Sequence, residues 1–275
     1  MYDLEKTLFV SDLDGTLLKS DGTLAKETAE VVAKLVAKGV KFSFATARSY
    51  HTAMQVAGGL AVEIPMILHN GVFIRDSRTG KYLCRNLLPE PEYVRRVIEE
   101  NGLEPFVYSV NGEVQKYRYH KGLLTPEAAA YQATRRNDPR DEPLPDNGDL
   151  WVGNIFYVMC IDNGDGARRA HEALRYKYSC LYAADYYSGD KWFEVYSPKA
   201  SKAQAVLQLR DILGCDKVVV FGDGANDVSM FEAADEAYAV EGAVEALKAK
   251  ATGVIGSNDD GAVVRWIEEN VLRVL

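Results

Sequence analysis

The sequence predicts an α/β protein built on a doubly wound parallel sheet, split in the chain by an inserted α+β unit. Three observations predict it. Apolar runs at 7–11, 40–45 and 217–222 each lead into a polar residue, Asp12, Thr46 and Asp223, as buried strands do when they deliver side chains to one edge of a sheet. Strand-like and helix-like segments alternate up to about residue 70 and again after about residue 191, the order of a parallel sheet covered on both faces. Between these halves the texture changes to shorter alternating segments. The expected division is 1–84 and 191–275 for the core and 85–190 for the insertion.

In chain order, the strand at 7–11 is followed by a helix at 24–38. Leu24, Thr28, Val31, Val32 and Leu35 share one face of this helix, and Gly39 stops it. Strands follow at 40–45 and 65–68. In the insertion, 105–108 and 154–159 read as strands, 167–178 as a helix and 180–183 as a further strand, giving a sheet with helices on one face and the other left open. The stretch 135–149, rich in Pro, Asp, Arg and Asn, reads as a solvated loop. The core resumes with a helix at 203–213 ended by Gly214, a strand at 217–221, a short helix near Met230 and a strand at 253–255. Ser257 to Asp260 reads as a polar turn that caps the segment carrying Trp266 and Ile267. Tyr186, Tyr187, Lys191 and Trp192, near the return to the core, read as packing residues, with pocket lining as the alternative.

A chain of 275 residues can bury a full core. Its net charge of -8 argues against nucleic acid or an anionic membrane as the main partner, since both reward a basic surface. The first residues lack the basic and long apolar regions of a signal peptide, and no later run is long enough to span a bilayer, so a cytoplasmic protein is expected. Cys84, Cys160, Cys180 and Cys215 form no CxxC pair and read as reduced thiols. His51, His69, His120 and His171 show no metal-ligand spacing, and none is assigned to catalysis.

Chemistry concentrates where the apolar runs end. Asp12-Leu13-Asp14-Gly15-Thr16 places two carboxylates at the end of a buried strand, where unpaired charge is strongly disfavoured. A hard divalent cation with oxygen ligands is the natural counter-charge. Ligands of open parallel sheets bind outside the carboxyl ends of the strands, so Asp12, Asp14, Thr46 and Asp223 converge there despite their separation in the chain. Lys202 opens the helix before the 217–221 strand and brings a positive charge to the same edge. A divalent ion, a carboxylate free to attack, a hydroxyl and a lysine together suit phosphoryl transfer, in which charge on three oxygens must be neutralised. An EF-hand loop is disfavoured because the twelfth position counted from Asp12 is Thr23 rather than Glu. A dinucleotide loop at Gly222-Asp223-Gly224 is disfavoured because Asp227 stands where the third glycine would.

These motifs, together with Thr46 in Ala45-Thr46-Ala47-Arg48 and Gly222-Asp223-Gly224-Ala225-Asn226-Asp227, resemble the four ordered motifs of the haloacid dehalogenase-like superfamily. Asn70-Gly71, Ser201-Lys202-Ala203 and Ser257-Asn258-Asp259-Asp260-Gly261 make the chain similar to its Cof-type phosphatases with a type IIB cap. The resemblance implies a Mg²⁺-dependent phosphatase of a small phosphorylated metabolite, with a sugar phosphate the expected kind. Asp12 would be the nucleophile and Asp14 the general acid and base, Asp14 also lending its backbone carbonyl to the metal. Thr46 and Lys202 would hold phosphoryl oxygens, and Asp223 would complete the metal's protein ligands. Asn226 and Asp227 would orient that shell or Lys202, Asn226 on the phosphate side and Asp227 on the metal side.

Arg48 either binds substrate or pairs with a core carboxylate. Asn70 either touches substrate or sets the turn with Gly71. Two other activities stand beside the phosphatase. A sugar phosphomutase would need a second phosphate site, for which Arg118, Lys121, Arg135 and Arg136 are candidates, although a charge run is usually a solvated face. A catalytically idle phosphometabolite-binding protein would hold ligand without turnover.

Overall fold

The computed structural model describes residues 2–135, 137–184 and 188–272. Tyr186, Tyr187 and Arg136 lie outside them. The described chain forms two compact units, one running up to Arg85 and resuming at Ala200, the other Asn86–Lys199.

The first unit opens with β1 (Thr7–Ser11), every residue of which is buried. Helix α1 (Lys26–Ala37) turns Thr28, Val32 and Leu35 inward, and β2 (Lys41–Phe44) follows. Next come α2 (Tyr50–Ala57), capped by the Ser49 side chain, and the short strands β3 (Met66–Leu68), β4 (Phe73–Arg75) and β5 (Tyr82–Arg85), which pair antiparallel.

The second unit begins with α3 (Pro91–Glu100) and a hairpin of β6 (Phe106–Asn111) and β7 (Val114–His120). After α4 (Pro126–Ala133) come β8 (Asp141–Leu144), β9 (Asn154–Ile161), α5 (Gly166–Leu174), β10 (Ser179–Ala184) and β11 (Lys191–Tyr196). The strands form one sheet in the order β10-β11-β9-β6-β7-β8. Helices α3 and α5 cover one face, where Val94, Ile98, Ala170 and Leu174 meet Val107, Val158, Cys160 and Phe193 in a continuous core.

The first unit then resumes with α6 (Lys202–Leu213), β12 (Lys217–Gly222), α7 (Val228–Ala233), β13 (Glu236–Ala239), α8 (Glu245–Lys248), β14 (Gly253–Val254) and α9 (Ala262–Ile267). Its main sheet is parallel throughout, in the order β14-β13-β12-β1-β2. The chain moves one way from β1 to β2 and the other way from β12 to β14. The strand order therefore reverses between β1 and β12, and in such sheets the crevice beyond that point is where ligands bind.

Two sequence readings need correction. The return to the first unit comes at Ala200, not 191, because β11 pairs with both β9 and β10 and belongs to the second unit's sheet. The stretch 135–149 is not simply a solvated loop. Its Asp141–Leu144 segment is an edge strand parallel to β7, and Arg140 is 6% exposed, its guanidinium held by Asp138 at 2.9 and 2.6 Å. An edge strand needs ladder bonds on one side only, so Pro143 is tolerated and no apolar alternation announces it. Ser257 does cap the turn at 258–260, which ties back through Asn258 to the Leu18 carbonyl and through Asp259 to Ser20.

Candidate active site

The carboxyl ends of β1, β2 and β12 carry Asp12, Thr46 and Asp223 to one edge, as their strand positions require. The Asp12 amide is fixed by the Phe221 carbonyl at 2.9 Å, so the nucleophile candidate is tied to the neighbouring strand by backbone alone. Asp12 is 5% exposed and Lys202 is 1% exposed. The Lys202 ammonium donates to Asp12 Oδ1 and to Asp227 Oδ1, both at 2.6 Å. Burial by itself would lower the lysine's pKa, but the two carboxylates outweigh it and hold the ammonium above its ordinary value.

Asp227 is committed on both oxygens, since its Oδ2 accepts the Asp223 and Gly224 amides at 3.0 Å. It fixes the lysine and the backbone of the Asp223 loop together. Asp12, Asp223 and Asp227 each offer one oxygen within 4.8 Å of the others. Burial, with Asp227 and Asp223 beside it, drives the Asp12 carboxyl up against the opposing pull of Lys202. Burial likewise raises Asp223, although Thr16 Oγ1 donates to its Oδ1 at 3.0 Å.

One lysine against three clustered carboxylates leaves surplus negative charge in a low-dielectric place, and all the donors are oxygen. That set suits a hard divalent cation and suits no soft metal. Asp12 and Asp223 have oxygen to spare for it, whereas Asp227 is spent on Lys202 and backbone. The Asp14 side chain lies outside this triad.

Asp14 is instead clamped by Arg48, whose Nε and Nη2 reach its two oxygens at 2.8 and 2.6 Å. Of the two readings of Arg48, the structure has the carboxylate pair. Thr46 is fully buried, and its Oγ1 accepts the Arg48 amide at 3.1 Å, which leaves its own hydroxyl proton to donate elsewhere. The Thr46 carbonyl accepts the Asn70 amide at 2.9 Å, and Asn226 Nδ2 donates to Asn70 Oδ1 at 3.4 Å. Asn70 thus does set the turn, and its side chain also meets Asn226. His69, Asn70 and Gly71 all have positive φ, a run that orients the Asn70 amide. Gly71 has no substitute here, because a Cβ on it would overlap the Ser201 carbonyl just before Lys202.

Two contributors carried no expected role. Thr16 holds Asp223, and Gly15, at φ +72°, leaves room for the Asp223 carboxylate that any Cβ would strike. The Gly-Thr pair closing the first motif was the available signal. Of the four cationic candidates for a second phosphate site, two have other occupations: Arg118 is held by Ser109, the Val152 carbonyl and Glu142, while Arg135 lies over the Tyr131 ring.

A buried lysine-bridged carboxylate pair thus lies at the sheet's switch point, beside a third carboxylate and an Arg-clamped acid. The chain belongs to the haloacid dehalogenase-like hydrolase family, whose profile matches residues 9–267, and it is of the Cof type. Among similar proteins, 5-amino-6-(5-phospho-D-ribitylamino)uracil phosphatase YwtE of Bacillus subtilis (strain 168) is 28% identical over 285 residues, covering 94% of this chain and 96% of that one. Pyridoxal phosphate phosphatase YbhA of Escherichia coli (strain K12) is 22% identical over 265 residues, covering 95% of this chain and 97% of that one. The crystal structure of TM0651 from Thermotoga maritima superposes with a TM-score of 0.77 at 23% identity, covering 98% of this chain and 97% of that one, which is a likeness of fold. Among the described residues no helix is long and apolar enough to cross a membrane.

Proposed function

We propose that this protein is a Mg²⁺-dependent phosphatase of a small phosphorylated metabolite and works through an aspartyl phosphate on Asp12. The observation that carries the reading is the Lys202 ammonium bridging Asp12 and Asp227 in a buried carboxylate triad. An Asp12 oxygen attacks phosphorus and the ester P–O bond breaks, with Asp14 giving its proton to the leaving oxygen. Asp14 then takes a proton from water as that water attacks the phosphoaspartate, releasing inorganic phosphate and the free Asp12 carboxylate. Arg48 fixes the direction in which Asp14 presents its oxygens. Lys202, Thr46 and the Asn70–Asn226 amide pair face the charge that develops on the phosphoryl oxygens.

The cation would be held by Asp12, Asp223 and the Asp14 backbone carbonyl. When bound it supplies positive charge that lowers the repulsion between carboxylate and phosphate. Asp227 acts one step back, holding Lys202 and the Asp223 loop. The relatives named above are, by name, phosphatases of a ribitylaminouracil phosphate and of pyridoxal phosphate, so a small phosphomonoester is the substrate class for this chain too.

The test is phosphate release from a panel of sugar phosphates, nucleotides and vitamin phosphates, with Mg²⁺ or with EDTA, using Asp12→Asn as control. Turnover that needs both the metal and Asp12 is expected. Full activity in Asp12→Asn, or no turnover on any ester by folded, Mg²⁺-loaded protein, would overturn the reading.

A further inference from the structure

The face of the second unit's sheet opposite α3 and α5 carries a row of tyrosines. Strand register sets Tyr117 beside Tyr108, Tyr108 beside Tyr157, and Tyr157 beside Tyr196. The next positions along β11 on this face are Glu194, paired with Met159, and Trp192, paired with Ile161. Helix α4 covers one half of the row, where Tyr131 packs edge-on against Phe106 and its hydroxyl meets that of Tyr108 at 3.5 Å. Tyr108 and Tyr117 are buried there, whereas Tyr157, Glu194, Trp192 and Tyr196 keep partial exposure.

Two polar groups on this half are short of partners. The Trp192 Nε1–H is buried and has no hydrogen-bond acceptor among the described residues. The indole is held edge-on by Tyr131 at 5.0 Å, so it cannot swing out to find one without losing that contact. Glu194 accepts from the Tyr157 hydroxyl and has no ion-pair partner among the described residues, although a carboxylate accepts about four hydrogen bonds. A buried donor left unmade costs about 1–3 kcal/mol, so folded chains seldom carry one without a use. Beside these two groups lie the rings of Tyr157 and Tyr196, stacked within 17° of parallel at a centroid distance of 5.8 Å.

We propose that this face binds a planar heteroaromatic group, with Trp192 Nε1 donating to a ring carbonyl or ring nitrogen, Glu194 accepting from a ring N–H or hydroxyl, and the tyrosines packing the ring. A sugar fits this face less well. A sugar would bury several hydroxyls, each needing a partner, while this face offers one orphan donor and one under-used acceptor amid aromatic carbon.

The experiment measures equilibrium binding of two phosphate-free rings, uracil and pyridoxine, with glucose as comparison, by Trp fluorescence and dialysis on wild type, Trp192→Phe, Glu194→Gln and Asp12→Asn. Saturable binding of at least one ring and not of glucose is expected. It should weaken about tenfold in each of the two cap variants and persist in Asp12→Asn. Because Trp192→Phe removes an unmade donor, it should bind less while melting no lower than wild type, a split that a merely structural role would not produce. Binding of neither ring, or affinities equal to wild type in both cap variants, would overturn the proposal. Ring binding with this pattern in a protein that turns over no phosphoester would overturn the phosphatase reading alone.

Discussion

Replacing Lys202 with methionine tests the centre of the site most directly, because it removes the charge and keeps most of the length and volume. The ammonium is fully buried and donates to Asp12 and Asp227 at 2.6 Å each. Its loss leaves both carboxylates out of water without a contacting counter-charge among the described residues. Removing one partner of a buried pair costs about 3–5 kcal/mol, out of a total stability of about 5–15 kcal/mol. With a urea slope near 2 kcal/mol per molar, the midpoint of the first unit should fall by about 1.5–2.5 M in EDTA. The double variant Lys202→Met/Asp227→Asn separates charge from packing, since neutralising Asp227 should return a substantial part of the loss through positive coupling. Added Mg²⁺ should stabilise both wild type and variant in a concentration-dependent way, as any ligand of the native state does. A midpoint shift below about 0.5 M, or a double variant weaker than Lys202→Met by the full cost of a second mutation, would refute the account of Lys202 as the counter-charge.

Arg48→Lys should lower kcat by about 10- to 100-fold with little change in KM, because a point charge cannot reproduce the two-pronged grip on Asp14; steady-state kinetics showing a raised KM at unchanged kcat would make Arg48 a substrate ligand instead. Gly71→Ala should cost about 2–4 kcal/mol in thermal or urea unfolding, since it combines a φ of +96° with overlap on the Ser201 carbonyl. Burial raises the Glu194 pKa, and the Tyr157 hydrogen bond only partly offsets it. The group's contribution is therefore present below the unfolded value of about 4.3 and is lost as pH rises through the folded value. Urea melts from pH 4 upward should show wild type losing stability relative to Glu194→Gln, and a flat or rising difference would contradict the assignment.

Much of this molecule was written locally in its chain. The strands at 7–11 and 217–222 are unbroken apolar runs because both faces are covered, and each runs straight into the carboxylate it positions. Lys202 was legible because it opens the helix that Gly214 closes, just before the strand that ends at Asp223. The misreadings share a cause, since β8 and the true edge of the second unit are defined by backbone pairing to strands distant in the chain. Asp141-Glu142-Pro143-Leu144 has no apolar pattern to betray it. The Arg48 grip was equally hidden. Nothing in Ala47-Arg48-Ser49 says whether a guanidinium turns toward Asp14 or toward a ligand, and that choice belongs to three-dimensional proximity. The tyrosine row was invisible for the same reason, being assembled residue by residue from four strands.

The order in which the ribosome delivers the strands has a consequence for biosynthesis. β1 lies between β2 and β12, and Lys217 is synthesised about 10–40 s after Ser11 at 5–20 residues per second. Throughout that interval β1 is an apolar strand with one flank unpaired, exposed to wrong partners. The second unit's sheet, by contrast, is closed entirely within 106–196 and has all its strands before β12 emerges. The insertion should therefore be the first part of the nascent chain to become protease-resistant. The amino-terminal segment, which carries the nucleophile candidate, must wait for its neighbour and is the part most in need of a chaperone.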